Sequence, residues 1–294
     1  MATTSRTTMK IIEVDKLPSP LSLNFGALRS STKRPGLVEA LPQVTYVRPH
    51  LVVDGKKAAS YAKVCGFGPA HGVPMLFLHT EAFPLAMMLF GSRRFPWPAM
   101  GIVHLANSAT LHQRVKPGDV LRIEMQTGEL LKHEKGQVFT LHARALRDGQ
   151  LVWDSTWTLL RMGVKQPQGA PYVSALGDMP PLSRQADFYA ESGIGRRYGL
   201  ASGDINPIHL SAITAKFLGF RRAVAHGMWT KAKALSTLLP REDVAYASVQ
   251  VEFKTPLFLP ARASLWAARD EHGADFEVRN ARGDKPHLRG RVSY

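Results

Sequence analysis

The stretch Tyr198–His209 reads YGLASGDINPIH, and residues 225–228 read AHGM. The first stretch places a carboxylate, Asp204, five positions before an imidazole, His209, with an Asn-Pro pair bending the chain between them. A carboxylate and a neutral histidine on one short turn can hold a water molecule from two sides. Moving a proton and a hydroxide to or from adjacent carbons requires such a pair.

The second stretch supplies a glycine at the start of a predicted helix over residues 226–239. Backbone N–H groups at a helix start lack partners within the helix, so they can polarise a carbonyl oxygen. Glycine also lets that carbonyl approach the backbone closely. Gly227 is therefore predicted to donate the hydrogen bond of an oxyanion hole, with an ordinary helix-entry glycine as the alternative.

A structural turn is the alternative interpretation of the first stretch. Asp204 would then be a helix N-cap, Pro207 would occupy the first helical turn, and His209 would be a partly buried polar residue. Each residue alone fits that interpretation. The coincidence of SGD at 202–204, NP at 206–207, His209, and HGM at 226–228 favours a functional site.

The rest of the chain shows one order of elements twice. Residues 1–42 are rich in Ser, Thr, Pro and basic residues, and are predicted to form an extended N-terminal arm. A buried helix over 75–90, which Pro84 should break, follows a strand at 43–48. Strands are predicted after that helix at 102–115, 120–131, 137–147 and 151–162, with Asp-Gly at 148–149 as a hairpin signal.

A proline-rich and glycine-rich stretch at 166–182 is predicted to be a linker. It is followed by the 226–239 helix and by strands at 245–254, 263–268, 276–281 and 288–292. Periodicity therefore supports an α+β protein with two similar halves, 43–165 and 183–294.

The GDINPIH block with the HGM block resembles the signature of the MaoC-like (R)-specific enoyl-CoA hydratases, also called hydratase 2. This resemblance implies a double hot dog fold, in which two helix-plus-antiparallel-sheet repeats form one pseudo-dimeric unit. The first half has no such block. It is therefore expected to be a degenerate repeat that accommodates the acyl chain, and His79 in its helix is not expected to be catalytic.

The family resemblance also implies the reaction. It is the reversible hydration of trans-2-enoyl thioesters to (3R)-hydroxyacyl thioesters in fatty acid metabolism, with dehydration as the reverse. Asp204 and His209 would act on one water, and Gly227 would stabilise the enolate oxygen. Neither a metal nor another cofactor is expected beyond the coenzyme A or acyl carrier protein that carries the acyl group.

Five neighbouring residues are assigned supporting roles. Asn206 is expected to tie down the loop or contact the substrate, and Ser202 to support the turn. Tyr198 and Trp229 are candidates for the acyl tunnel, with a core position as the alternative. His226 is interpreted as structural.

The formal charge of +15 in 294 residues predicts a surface that attracts anions. The phosphates of coenzyme A or an acidic acyl carrier protein would fit this charge, and solubility alone is the alternative. Zinc-finger spacing and RNP-like aromatic motifs are absent, so nucleic acid is not the expected partner. The basic residues include the pairs Lys33-Arg34, Arg93-Arg94, Arg196-Arg197 and Arg221-Arg222.

Two other functions stay open. A hot dog thioesterase would usually need a carboxylate within the long helix, where Glu81 is the candidate. A non-catalytic thioester-binding subunit of a heterodimer is the second alternative, although intact Asp204 and His209 argue against it.

The single cysteine, Cys65, fits a reducing compartment, and no apolar stretch reaches the roughly 20 residues of a membrane span. A cytoplasmic protein, which could form a homodimer, is therefore expected.

Overall fold

A computed structural model describes residues 9–294 of the chain. The first unit contains β2 (Val44–Val52), α2 (Gly55–Cys65), α3 (Phe77–Gly91), β3 (Ile102–Leu111), β4 (Val120–His133), β5 (Gly136–Arg147) and β6 (Gln150–Met162). A two-residue strand, β7 (Ala170–Pro171), pairs with β4. The second unit contains β8 (Ser183–Ala190), α4 (Ile194–Ser202), α5 (Pro207–Leu210), α6 (Ala212–Phe217), α7 (Gly227–Leu238), β9 (Ala247–Phe253), β10 (Ala261–Asp270), β11 (Gly273–Asn280) and β12 (Pro286–Ser293).

Together with an N-terminal strand, β1 (Lys10–Glu13), the two units form one continuous sheet in the order β1-β2-β4-β5-β6-β3-β9-β12-β11-β10-β8. The order is symmetric about the junction of β3 and β9, which pair antiparallel from Ala106 opposite Glu252 to Leu111 opposite Ala247. Each unit wraps its strands around one long helix, α3 or α7. This is the double hot dog architecture that the family resemblance implied.

The N-terminal segment is not an extended arm within the described residues. It forms a strand, β1 (Lys10–Glu13), which pairs parallel with β2, and a helix, α1 (Pro20–Arg29). Ser19 caps this helix, because its hydroxyl accepts a hydrogen bond from the N–H of Ser22. The helix buries Leu23 and Ala27. Local composition misled the prediction, since tertiary contacts with β2 and α3 order this segment. Residues 1–8 lie outside the described part.

Pro84 does not break α3, so the prediction of a broken helix was wrong. The helix is continuous from Phe77 to Gly91 although Pro84 supplies no backbone N–H. An internal proline costs about 3 kcal/mol, but burial of side chains such as Leu85 and Leu89, each 0% exposed, outweighs that cost. No helix among residues 9–294 is both long and apolar enough to cross a membrane.

A buried lysine joins the two units. Lys231 of α7 is 0% exposed, and its Nζ donates to Oδ1 of Asn107 in β3 over 2.6 Å. The amide of Asn107 donates in turn to Oγ of Ser155 (3.1 Å) and to the carbonyl of Thr156 (3.2 Å). Burial lowers the pKa of Lys231 well below its usual value. The contact therefore fixes α7 against the sheet of the first unit.

We expect Asn107→Leu to lower the free energy of unfolding by roughly 1–3 kcal/mol, because the buried amine of Lys231 loses its side-chain acceptor and keeps only the backbone carbonyl of residue 107, at 3.4 Å. The double variant Asn107→Leu/Lys231→Met removes both polar partners and should lose clearly less than the sum of the single variants. Urea unfolding of the four proteins measures this coupling. Additive losses would show that the two side chains do not depend on each other.

Candidate active site

The loop between α4 and α5 carries the predicted acid–base pair. Gly203 ends α4 in a left-handed conformation, with φ at +79°. Asn206 caps α5, because its Oδ1 accepts a hydrogen bond from the N–H of Ile208 over 3.3 Å, and Pro207 occupies the first helical turn. Asp204 is not the cap. Its Oδ1 accepts the N–H of Asn206 over 3.2 Å, and the side chain stays 29% exposed.

Two glycines of α4 allow this loop to lie against the helix. A Cβ at Gly195 would overlap the carbonyl oxygen of His209. A Cβ at Gly199 would lie 2.9 Å from the carbonyl oxygen of Asp204. The sequence analysis did not identify either glycine, although the GIGRRYG spacing at 193–199 was visible.

A backbone carbonyl fixes the tautomer of His209. Its Nδ1–H donates to the carbonyl oxygen of Val224 over 2.7 Å, because a carbonyl can only accept. The N–H of Val224 donates to the carbonyl of Ile208 over 3.1 Å, so the loop and the 223–225 segment hold each other. Nε2 of His209 is consequently the nitrogen that remains able to accept a proton.

His226 stacks on His209, with ring centroids 3.7 Å apart and ring planes at 29°. Its Nε2–H donates to the backbone carbonyl of Asp204 over 2.9 Å and lies 3.7 Å from Oδ2 of the same residue. The ring is buried, with the ring of Tyr198 on another side at 4.8 Å. His226 thus touches both members of the predicted pair.

Burial controls the charge of both imidazoles. It lowers the pKa of His209, although the nearby Asp204 carboxylate and the hydrogen bond to Val224 oppose it. Burial lowers the pKa of His226 further, well below the usual value, and the neighbouring His209 adds to this effect. Both rings are therefore neutral at neutral pH.

Nitrogen and oxygen atoms of Asp204, His209 and His226 lie within 4.8 Å of one another, a set that invites a metal-binding interpretation. One nitrogen of each imidazole donates to a backbone carbonyl, which leaves the other nitrogen free. Metal-binding histidines commonly make the same bond, so it does not separate the two interpretations. The stacked rings are inclined by only 29° to each other, an arrangement that suits a hydrogen-bonded acid–base group better than two ligands directed at one ion.

Gly227 is the first residue of α7, as predicted. A Cβ at this position would lie 2.7 Å from Cε1 of Phe253, so the position has room only for glycine. The absence of a side chain at Gly227 therefore lets the ring of Phe253 pack directly against the backbone at the start of α7. Phe253 contacts the ring of His104 in the first unit, with centroids 5.0 Å apart.

The remaining predicted residues surround the loop or α7. Oγ of Ser202 accepts the N–H of Asp204 over 3.2 Å. Tyr198 is buried and packs on Tyr61, with centroids 6.0 Å apart. Trp229 is 3% exposed and donates its Nε1–H to the carbonyl of Val64 over 3.1 Å. These contacts tie α4 and α7 to α2 of the first unit.

The sequence analysis named His79 only as a residue that is not catalytic, and it did not identify the buried neighbour His104, which lies beside Phe253. The ring of His104 lies 6.2 Å from that of His79, and both rings contact Trp157. Burial lowers the pKa of His104 to about 3. The nearby charge of Lys231 adds to this lowering, and the carboxylate of Asp204 partly opposes it. Within residues 9–294, Nε2 of His104 and Nδ1 of His79 have no hydrogen-bond partner. No motif marks these residues in the sequence, because only the fold brings them together.

Comparison with known proteins identifies the domain that carries this site. Residues 178–288 match the family model of the MaoC like domain. This match lies in the second half of the chain and confirms the resemblance of its sequence blocks to the MaoC-like family.

The likeness extends beyond that domain. The chain is 29% identical over 263 residues to 3-hydroxyacyl-thioester dehydratase X of Mycobacterium tuberculosis, covering 86% of this chain and 90% of that protein. The crystal structure of HtdX from the same organism superposes with a TM-score of 0.71 at 28% identity, over 84% of this chain and 98% of HtdX. Another M. tuberculosis protein described as a double hot dog has a TM-score of 0.54 at 11% identity, over 87% of this chain and 96% of its own. That last match supports the fold alone.

We expect Gly195→Ala to lower the free energy of unfolding by about 1–3 kcal/mol, because the added methyl group collides with the carbonyl of His209. Gly193→Ala is the matched control, since its φ of −84° suits alanine and a Cβ there meets nothing within 4 Å. Urea unfolding compares the two variants. Equal stability would mean that the loop does not depend on close packing against α4.

Proposed function

We propose that this protein catalyses the reversible hydration of trans-2-enoyl thioesters to (3R)-hydroxyacyl thioesters, and their dehydration in reverse. The observation that carries the proposal is the adjacent pair Asp204 and His209, with Nε2 of His209 left free by the hydrogen bond to Val224. The similarity to 3-hydroxyacyl-thioester dehydratase X supports the same class of reaction. The (R) configuration follows the family resemblance.

In hydration, one water would be held between the carboxylate of Asp204 and Nε2 of His209. The water oxygen bonds to Cβ while Nε2 takes one of its protons, and the electrons of the double bond move to the thioester oxygen. The N–H of Gly227 stabilises that oxygen as negative charge develops. The imidazolium then returns the proton to Cα, the carbonyl re-forms, and His209 is neutral again.

His226 would act by positioning. Its hydrogen bond holds the backbone of Asp204, and its ring supports one face of His209. Asn206 and Ser202 would stabilise the loop through the cap of α5 and the N–H of Asp204. The acyl chain would extend toward Phe253 and the first unit.

Basic residues beside the loop suit a phosphate-bearing carrier. Arg221 and Arg222 are exposed, and their guanidinium groups lie 4.7 and 5.8 Å from the ring centroid of Phe258. Phe258 pairs through its backbone with Val224, the residue that holds His209. Coenzyme A and an acyl carrier protein would both place phosphate groups near these cations.

The surroundings of Glu81 disfavour the thioesterase alternative. Its carboxylate lies 3.1 Å from Nη1 of Arg48 and 3.5 Å from Nζ of Lys57, and its side chain is 8% exposed. Both carboxylate oxygens of Glu81 are therefore occupied by cations, Oε2 by Arg48 and Oε1 by Lys57. Glu81 therefore serves as a structural ion pair of α3 in this account.

We expect Asp204→Asn and His209→Ala each to lower kcat for crotonyl-CoA hydration by roughly 10²–10⁴-fold, because each removes one positioned acid–base group. Loss of the absorbance of the conjugated thioester measures hydration, and free thiol release measures hydrolysis in the same sample. His79→Ala is the comparison in the first unit and should retain turnover. Thiol release by the wild-type protein without hydration would favour a thioesterase.

The pH profile of hydration should reflect the shifted titration of His209. Because burial lowers its pKa, the neutral base persists below the usual imidazole range, and activity should fall only as pH drops through the lowered pKa. We expect the acidic midpoint of kcat/KM to lie below about 6.5, the reference value for histidine. A midpoint above that value would contradict the role of neutral His209 as the base.

A further inference from the structure

The helix α1 exposes an apolar face. Leu21, Phe25 and Leu28 follow the i, i+4, i+7 spacing of one helix face and are 76%, 61% and 58% exposed. Leu23 and Ala27 of the same helix are buried against the protein. Single exposed apolar residues are ordinary, but a row of three large ones on one face indicates a contact surface.

This face is held in a fixed position. The backbones of Gly26 in α1 and Gly91 at the end of α3 approach so closely that a Cβ at Gly91 would lie 3.4 Å from the carbonyl carbon of Gly26. Beyond α1, Nζ of Lys33 donates to the carbonyls of Ser92 (2.8 Å) and Phe95 (2.7 Å). These bonds hold the turn containing Arg93 and Arg94 beside the end of α1.

The surroundings of the face are positively charged. Residues 16–38 contain four basic residues and no Asp or Glu. Arg29, Arg34, Arg93 and Arg94 are exposed. Over the described part of the chain, none of these four arginines makes an ion pair. A groove of about 800 Å³, lined in part by Arg34, Leu37 and Lys165, adjoins them.

We propose that α1 and its flanking arginines dock on an anionic phospholipid surface. The apolar row would enter the boundary between headgroups and acyl chains, while the arginines would bind lipid phosphates. Binding of such a helix to a membrane surface strengthens with its buried apolar area and with its attraction to anionic lipids. A second copy of this chain fits the face less well, because dimerisation would bring eight unpaired arginines together. The proposal is independent of the hydratase function.

The test is co-sedimentation of the full-length protein with vesicles. We expect binding to phosphatidylcholine vesicles containing phosphatidylglycerol, little binding to pure phosphatidylcholine, and weaker binding as salt increases. The triple variant Leu21→Ser/Phe25→Ser/Leu28→Ser and the variant Arg93→Glu/Arg94→Glu should each lower the partition coefficient by at least about tenfold.

Matched controls change similar residues elsewhere. Val173→Ser/Val120→Ser removes two exposed apolar side chains, and Arg282→Glu/Lys285→Glu reverses two exposed charges at the turn between β11 and β12. Both controls should bind vesicles like the wild type. All variants should hydrate crotonyl-CoA at the wild-type rate if that activity is present, and circular dichroism checks that each one folds.

Equal vesicle binding by α1 variants and controls would overturn the proposal, as would absence of binding by the wild type. Sedimentation velocity provides the remaining outcome. If the wild type is a dimer and the α1 triple variant a monomer, the face is an interface between copies of the chain, and the lipid proposal is wrong.

Discussion

The pairing of β3 with β9 is the constraint on which the rest of the structure depends. It makes two hot dog units into one sheet, which wraps around α3 in the first unit and around α7 in the second. Lys231 reaches Asn107 across this junction, and Trp229 reaches Val64. Because these contacts hold α7 from the first unit, the position of Gly227 at its start depends on a unit that lacks the GDINPIH block.

The two units contribute different parts of the candidate site, which explains why their sequences can differ. In the second unit, Asp204 and His209 lie on a loop that packs closely against two glycines of α4. The first unit contributes β3 and buried groups such as His104 and His79, which lie beyond Phe253. A unit that lacks the GDINPIH block can therefore still support the candidate site.

Much of the candidate site could be predicted from the sequence, because its residues lie close together in the chain. Five positions separate Asp204 from His209, and an Asn-Pro cap fixes their turn, so the motif itself encodes the geometry. The stacking of His226 on His209 and the role of Gly195 could not be predicted, since each requires knowing which segments pack together. Strand positions could also be predicted, from the alternation of apolar and polar residues and from the Asp-Gly turn.

The failures have physical causes as well. The segment containing β1 and α1 has the composition of an arm, yet pairing with β2 and packing on α3 order it. Pro84 carries a strong local signal for a helix break, but burial of the surrounding residues overrides it. α2 was missed although Asp54 caps it through the N–H groups of Lys56 and Lys57 and Gly66 ends it. A capping residue and a terminal glycine predict a helix only when the residues between them are already interpreted as a short amphipathic helix.

In the proposed reaction, one water held by Asp204 and His209 supplies both the hydroxyl and the proton to one face of the substrate. The stereochemistry of crotonyl-CoA hydration in deuterium oxide tests it most directly. We expect a single product with (3R) configuration, with deuterium at Cα on the same face as the new hydroxyl. A (3S) product, or deuterium added to the opposite face, would contradict it.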